Sequence, residues 1–384
     1  MDFEKLFLES KVESLFGRYI TLENILPILN SLNHKENVNL IGKSVEGKDI
    51  HSYAIGSGKM KILLWSQMHG NESTTTKSLF DLLNFLNRKS ELAEKLLEHF
   101  TFYCIPMLNP DGAKNYTRVN ANGIDLNRDF QTLSQPESQL LKRIYLEIQP
   151  DFCYNLHDQR TIFASGETNN PATVSFLAPS YNENRDVNEV REKAMNVIVA
   201  MNDVLQKYIP SQVGRFDDGF NLNCVGDTFT FLGCPTILFE AGHFQGDYDR
   251  ELTRKFIFIA LLSGLKHIYE NDIVCNKTDD YFNIPQNKQI FYDIIYKNIK
   301  INYDNRQIIT NFAIQFQEVL VENKIQFVAT LADIGDLKEN FGHLEFDAEE
   351  KVYSDKQTEI PKIGQNFDFY LGDSVKVVNG LPIV

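Results

Sequence analysis

The chain has 384 residues, 43% of them hydrophobic and 23% charged, with a formal net charge of −14. That length exceeds one ordinary domain and suggests a large domain with a smaller one. The acidic balance argues against nucleic acid and anionic membrane as partners, and no apolar run approaches the ~20 residues of a membrane span. Met1–Phe7 carries acidic residues and no apolar segment behind a basic start, so no secretory signal is expected. The five cysteines (Cys104, Cys153, Cys224, Cys234, Cys275) are odd in number and widely spaced, which predicts reduced thiols in a cytoplasmic protein.

Along the first three-quarters of the chain, short apolar runs alternate with longer helical patterns. Strands are predicted at Lys61–Trp65, Phe100–Ile105, Phe152–Leu156, Val174–Leu177 and Thr236–Phe239. They are apolar on both faces, as strands covered on both sides by helices should be. Helices are predicted at Thr75–Leu86, Glu91–Glu98, Pro136–Ile148, Val187–Tyr208 and Arg250–Ile268. In the fourth, Val190, Ala194, Val197, Met201, Val204 and Tyr208 form one stripe at helical spacing. This alternation predicts an α/β sandwich around a mixed, mostly parallel sheet.

After about Asn276 the pattern changes to period two, as in Phe312, Ile314, Phe316 and in Phe367, Phe369, Leu371. Turn residues such as Gly342, Gly372, Asp373, Asn379 and Gly380 separate the runs. The expectation is a first domain over residues 1–275 and a β-rich domain over 285–384.

Chemistry concentrates at the strand ends. His69 and Glu72 lie three residues apart in the polar turn that follows Lys61–Trp65. An imidazole and a carboxylate so placed can close on one zinc ion, and a catalytic zinc needs a third protein ligand and an open position. His157, at the carboxyl end of Phe152–Leu156, supplies the third ligand, at the edge where open α/β sheets bind ligands. Glu240 ends Thr236–Phe239 in the same way. A carboxylate there can take a proton from water and return it to a leaving amine. Between strand and helix lie two arginines and an asparagine, Arg118, Asn127 and Arg128; the guanidinium groups suit an oxyanion and a substrate carboxylate. Asp158 is a candidate to orient a ligand histidine, and His243 a candidate pocket residue.

His-Gly-Asn-Glu at 69–72, Asn-Pro-Asp-Gly at 109–112, Asp-Leu-Asn-Arg-Asp-Phe at 125–130, Asn-Leu-His at 155–157 and the strand-terminal Glu240 together resemble the zinc carboxypeptidase family. The resemblance spans roughly residues 40–270. It implies a three-layer α/β/α sandwich and one zinc on His69, Glu72 and His157. It implies Glu240 as general acid/base, Arg118 polarising the scissile carbonyl, and Asn127 with Arg128 gripping a substrate carboxylate. The implied substrate is a peptide; the implied reaction is hydrolysis of the amide bond next to a free carboxylate.

Two features depart from the digestive members of that family. No tyrosine lies between Tyr208 and Tyr248, where those members carry a flap tyrosine, so Arg215–Cys224 is expected to replace the flap, with Asp217, Asp218 or Asn221 lining the pocket. The β-rich tail is also extra. A similar tail follows the zinc domain in the aspartoacylase and succinylglutamate desuccinylase branch, so an N-acyl amino acid amidohydrolase is the alternative. His343 and Glu345, two apart in the tail, would share a strand face and could make a weak metal contact, although an exposed pair is the plainer expectation. The sequence sets no oligomeric state.

Overall fold

In the computed structural model, which describes residues 1–33, 37–271, 276–304, 306–356 and 360–383, the chain divides into two units. His34 and Cys275 lie outside the described residues. The first unit comprises Met1–Gln159 and Ala172–Asn287, and the second comprises Arg160–Pro171 and Lys288–Val384. The chain therefore leaves the first unit directly after β5 and returns to it. The period change near Asn276 marks only the second of these crossings, because a short excursion has no periodicity of its own.

The first unit opens with helices α1 (Phe3–Ser10) and α2 (Leu22–Ser31), then strands β1 (Val38–Lys43), β2 (Asp49–Gly56) and β3 (Met60–Ser66). Next come α3 (Thr74–Leu86), α4 (Glu91–His99), β4 (Phe100–Ile105), α5 (Pro110–Asn115), α6 (Pro136–Ile148) and β5 (Phe152–Asp158). Strand β6 (Phe163–Ser165) lies in the excursion. The first unit resumes with β7 (Val174–Leu177), α7 (Glu189–Leu205), β8 (Val213–Arg215), α8 (Val225–Phe231), β9 (Thr236–Ala241), α9 (Glu251–Glu270) and α10 (Thr278–Phe282).

Eight of these strands form one mixed sheet in the order β1-β2-β4-β3-β5-β9-β7-β8. Its centre is parallel, with β3 beside β4 and β5, and β5 beside β9. Successive residues of a strand face opposite sides, and both sides are buried here. Ile62 and Leu64 pack into the larger core with α3, α7 and α9; Leu63 and Trp65 pack into the other with Leu140 and Leu141 of α6 and Phe229 of α8. Each fully buried Leu or Phe contributes on the order of 1.5–3 kcal/mol. Helix α7 begins later than the predicted Val187 and ends before Tyr208. Asn188 accepts the Arg191 amide and starts the helix at Glu189, since a side-chain cap satisfies the otherwise orphaned first-turn N–H.

The second unit contains β10 (Asn287–Gln289), β11 (Phe291–Tyr303), β12 (Arg306–Val321), β13 (Lys324–Gly335) and β14 (Phe341–Asp347). It ends with β15 (Tyr353–Ser354), β16 (Phe369–Leu371), β17 (Val375–Val378) and β18 (Leu381–Ile383). These make one sheet in the order β13-β12-β11-β14 and another in the order β15-β16-β17-β18, while β6 pairs with β10. Ile294, Ile299, Phe312 and Ile314 of the first sheet share a core with Phe367, Phe369 and Val377. His343 and Glu345 do not form a metal site. His343 is buried against Phe291 and bonds the Thr161 carbonyl through Nε2 at 2.8 Å, whereas Glu345 is exposed and paired with Lys297. Among the described residues, no helix is long and apolar enough to cross a membrane.

Candidate metal centre

The carboxyl ends of β3, β5 and β9 lie side by side, and the loops beyond them build the site. Gln67, just past β3, has φ 50°, a left-handed conformation uncommon for a non-glycine residue. Its side chain holds it there, donating to the Ile20 and Gly70 carbonyls and accepting from Thr76. Gly70 follows because nothing larger fits: a Cβ there would fall 1.9 Å from the Gly112 carbonyl carbon. The Asn-Pro-Asp-Gly segment clamps this turn from the other side. Asn109 accepts the Gly112 amide, so capping α5, and donates to the Met68 carbonyl. Its role is to position the loop.

That loop delivers His69 and Glu72 to His157. His69 Nδ1 lies 2.8 Å from Glu72 Oε1, His157 Nδ1 lies 2.8 Å from Glu72 Oε2, and the two Nδ1 atoms are 3.1 Å apart. All three side chains are buried. They are the one histidine, cysteine or carboxylate group among the described residues with donor atoms gathered as a metal ion requires. Zinc holds imidazole nitrogens at ~2.0–2.1 Å, which places two tetrahedral ligands roughly 3.3 Å apart. The spacing and the mixed nitrogen and oxygen donors therefore fit zinc. His157 Nε2 is buried without a hydrogen bond, so Nδ1, turned toward the other donors, is the ring atom engaged.

The local electrostatics favour a cation. Glu72 is buried, which would raise its pKa, but the two histidines outweigh burial and hold the carboxyl well below its ordinary range. Burial likewise pushes His69 down, and the Glu72 and Asp125 carboxylates more than reverse it. For His157 burial prevails, and its imidazole is held below the ordinary value.

Asp125 is the residue that sequence reasoning missed. Its Oδ1 lies 2.9 Å from His69 Nε2, the ring atom facing away from the donor cluster, and its Oδ2 accepts from Arg118 Nε at 3.0 Å. In the sequence it stands in the Asp-Leu-Asn-Arg-Asp-Phe motif with no role assigned; in the structure it also accepts the Asn127 amide, capping the turn Leu126–Arg128. Arg118 also donates from Nη1 to Glu72 Oε1 at 3.0 Å while remaining exposed.

Glu240 pairs in register with His157 on the adjacent parallel strand, so both side chains leave the sheet on one face. Its Oε2 is shielded and carries no hydrogen bond. Burial, then the Glu72 and Asp158 carboxylates, hold its carboxyl well above the usual range. Asn127 and Arg128 stand in the short turn beside Asp125. Asn127 Oδ1 accepts the Val225 amide at the start of α8, and Arg128 is exposed, donating to the Asn127 carbonyl.

Asp158 does not orient a ligand histidine. Its carboxylate accepts the Thr74 and Thr75 amides at the start of α3, and its own amide donates to Glu72 Oε2 at 3.1 Å. It ties the Glu72 turn to β5 through the helix terminus. His243 is buried and its ring packs tilted against Tyr248. In the loop after β8, Asp218 pairs with Arg191 and Arg185, and Asp217 with Arg185. Both aspartates are thus occupied by arginines of the first unit.

The zinc carboxypeptidase family pattern matches residues 30–150. Carboxypeptidase 2 of Trichophyton rubrum is 30% identical over 102 residues, which is 27% of this chain and 19% of that protein. Cytosolic carboxypeptidase 6 of Caenorhabditis elegans is 42% identical over 81 residues, 21% of this chain and 17% of that protein. The matched stretches thus span about a fifth of these relatives' length. In fold, a metallo-carboxypeptidase from Burkholderia cenocepacia is similar with TM-score 0.51 at 18% identity, covering 64% of this chain and 69% of its own. Carboxypeptidase A from Helicoverpa armigera is similar with TM-score 0.51 at 16% identity, covering 69% and 78%. Residues 30–150 thus match the zinc carboxypeptidase family pattern, on a fold similar to that of these solved carboxypeptidases.

Proposed function

We propose that the protein is a zinc-dependent carboxypeptidase that hydrolyses the peptide bond next to a free carboxylate. The observation that carries this reading is the convergence of His69, Glu72 and His157 with Glu240 in register beside them. His69, Glu72 and His157 would hold the zinc, which would supply Lewis acidity and make a nearby water easier to deprotonate. Glu240 takes a proton from the attacking water and delivers it to the leaving amine. Arg118 lies within reach of Glu72 and donates to the carbonyl oxygen as negative charge builds there. Asn127 and Arg128 hold the substrate carboxylate, Arg128 through its planar fork.

Free thiols at Cys104, Cys153, Cys224 and Cys234, and the likeness to a cytosolic carboxypeptidase, support a cytoplasmic location. The deciding experiment incubates zinc-loaded protein with peptides varied at the last residue, and in parallel with N-acyl amino acids. Release of a single C-terminal residue from peptides supports the reading. Cleavage of N-acyl amino acids alone replaces it with the amidohydrolase reading.

A further inference from the structure

The second unit holds a cavity of about 400 Å³ that no step above uses, a volume within the range of small-ligand sites. Its lining includes Arg160, Gln315, Thr330 and the aromatic residues Phe291, Tyr292 and Phe316. Arg160 is exposed and has no ion pair or hydrogen bond among the described residues. In a chain of net charge −14, a guanidinium left without a carboxylate is available to a ligand.

The deeper polar groups offer the opposite character. Gln315 is 9% exposed; its Nε2 donates to Thr161 Oγ1 at 2.7 Å and to the Asp293 carboxylate. The carboxylate fixes the amide orientation, since a flip would set oxygen against oxygen. With both N–H groups engaged, Gln315 has only its Oε1 acceptor to offer. Thr330, 6% exposed, donates its hydroxyl to the Gln315 carbonyl at 2.9 Å and can otherwise only accept. The cavity thus combines a cation, buried acceptors and aromatic walls. A phosphate would face acceptors with no buried donor, and a neutral sugar would leave the guanidinium unpaired.

We propose that this cavity binds a small α-amino acid as its zwitterion. The carboxylate pairs with Arg160, the ammonium donates to Gln315 Oε1 and Thr330 Oγ1, and the side chain lies against Phe291, Tyr292 and Phe316. The site is independent of the peptidase reading and stands or falls by itself.

Calorimetric titration of the full chain with L-leucine, N-acetyl-L-leucine and L-leucinamide tests it. Leucine should bind at one site, and each blocked form should bind on the order of tenfold more weakly or worse, because each removes one charged contact. Arg160→Gln, an exposed change that leaves the core untouched, should abolish binding. Thr330→Val should weaken it, and Arg128→Gln should leave it unchanged. Any of three results overturns the proposal: no binding of leucine at about 10 mM, a far weaker affinity than small-ligand sites show; equal binding of N-acetyl-L-leucine; or binding lost in Arg128→Gln and retained in Arg160→Gln.

Discussion

Asp125 stands behind His69, its Oδ1 2.9 Å from the imidazole Nε2, while Nδ1 of the same ring faces Glu72 and His157. The carboxylate fixes the ring's tautomer, placing the hydrogen on Nε2 and leaving the Nδ1 lone pair for a metal. Asp125→Ala should lower zinc affinity by roughly 10–100-fold, the usual cost of losing such a partner. Chelator competition measures this, and unchanged affinity would show that the contact does not orient the ligand.

Removing a ligand should be more severe. His157→Ala leaves two protein donors, and the ion is then under-coordinated. Metal content after dialysis should fall to a small fraction, with turnover lost. Full zinc occupancy in the variant would refute the ligand assignment.

Glu240→Gln keeps the shape and removes the proton acceptor. Zinc content should stay the same while turnover falls on the order of 10²-fold or more. Near wild-type turnover would exclude Glu240 as the acid/base.

Arg128 is tested through the substrate as well as the protein. Arg128→Lys should raise KM for free-acid peptides, because an ammonium cannot reproduce the guanidinium fork. C-terminally amidated peptides should be poor substrates of the wild type. Equal cleavage of amidated and free-acid peptides would argue for an amidase or endopeptidase.

The second unit carries a pH dependence of its own. Burial holds the His343 imidazole down at about 4, against an ordinary 6.5, despite its bond to the Thr161 carbonyl. The unfolded chain therefore binds a proton in this window that the folded chain refuses. Stability is intact above pH 6.5, falls as pH drops toward about 4, and levels off below that, an effect on the order of 3 kcal/mol. His343→Gln should flatten this part of the melting profile, read as Tm by calorimetry across the window. An unchanged slope would assign the acid sensitivity to other groups.

The sheet strands were legible in the sequence because each is a short run buried on both faces. Phe100–Ile105 and Val174–Leu177 appear with the predicted ends, and β3, β5 and β9 differ only by a residue or two. Strands β1 and β2 were not, because β1 pairs only with β2 at the sheet edge, both are only partly buried, and they show no continuous apolar run. His69, Glu72, His157 and Glu240 were visible as polar residues closing apolar strands or the turn beyond one, a local signal. The partners of Asp125 and Asp158 were not readable, since they lie 56 and 84 residues away and an aspartate carries the same local signal whether it caps, bridges or binds. The sequence by itself determined which residues could bear the chemistry and which strands carry them. Only the tertiary structure decided which atoms meet, that Asp125 bonds His69 and Asp158 ties the Glu72 turn to β5, and that the chain passes into the second unit at Arg160. Period and spacing are properties of one segment, whereas hydrogen bonds between segments are set by packing.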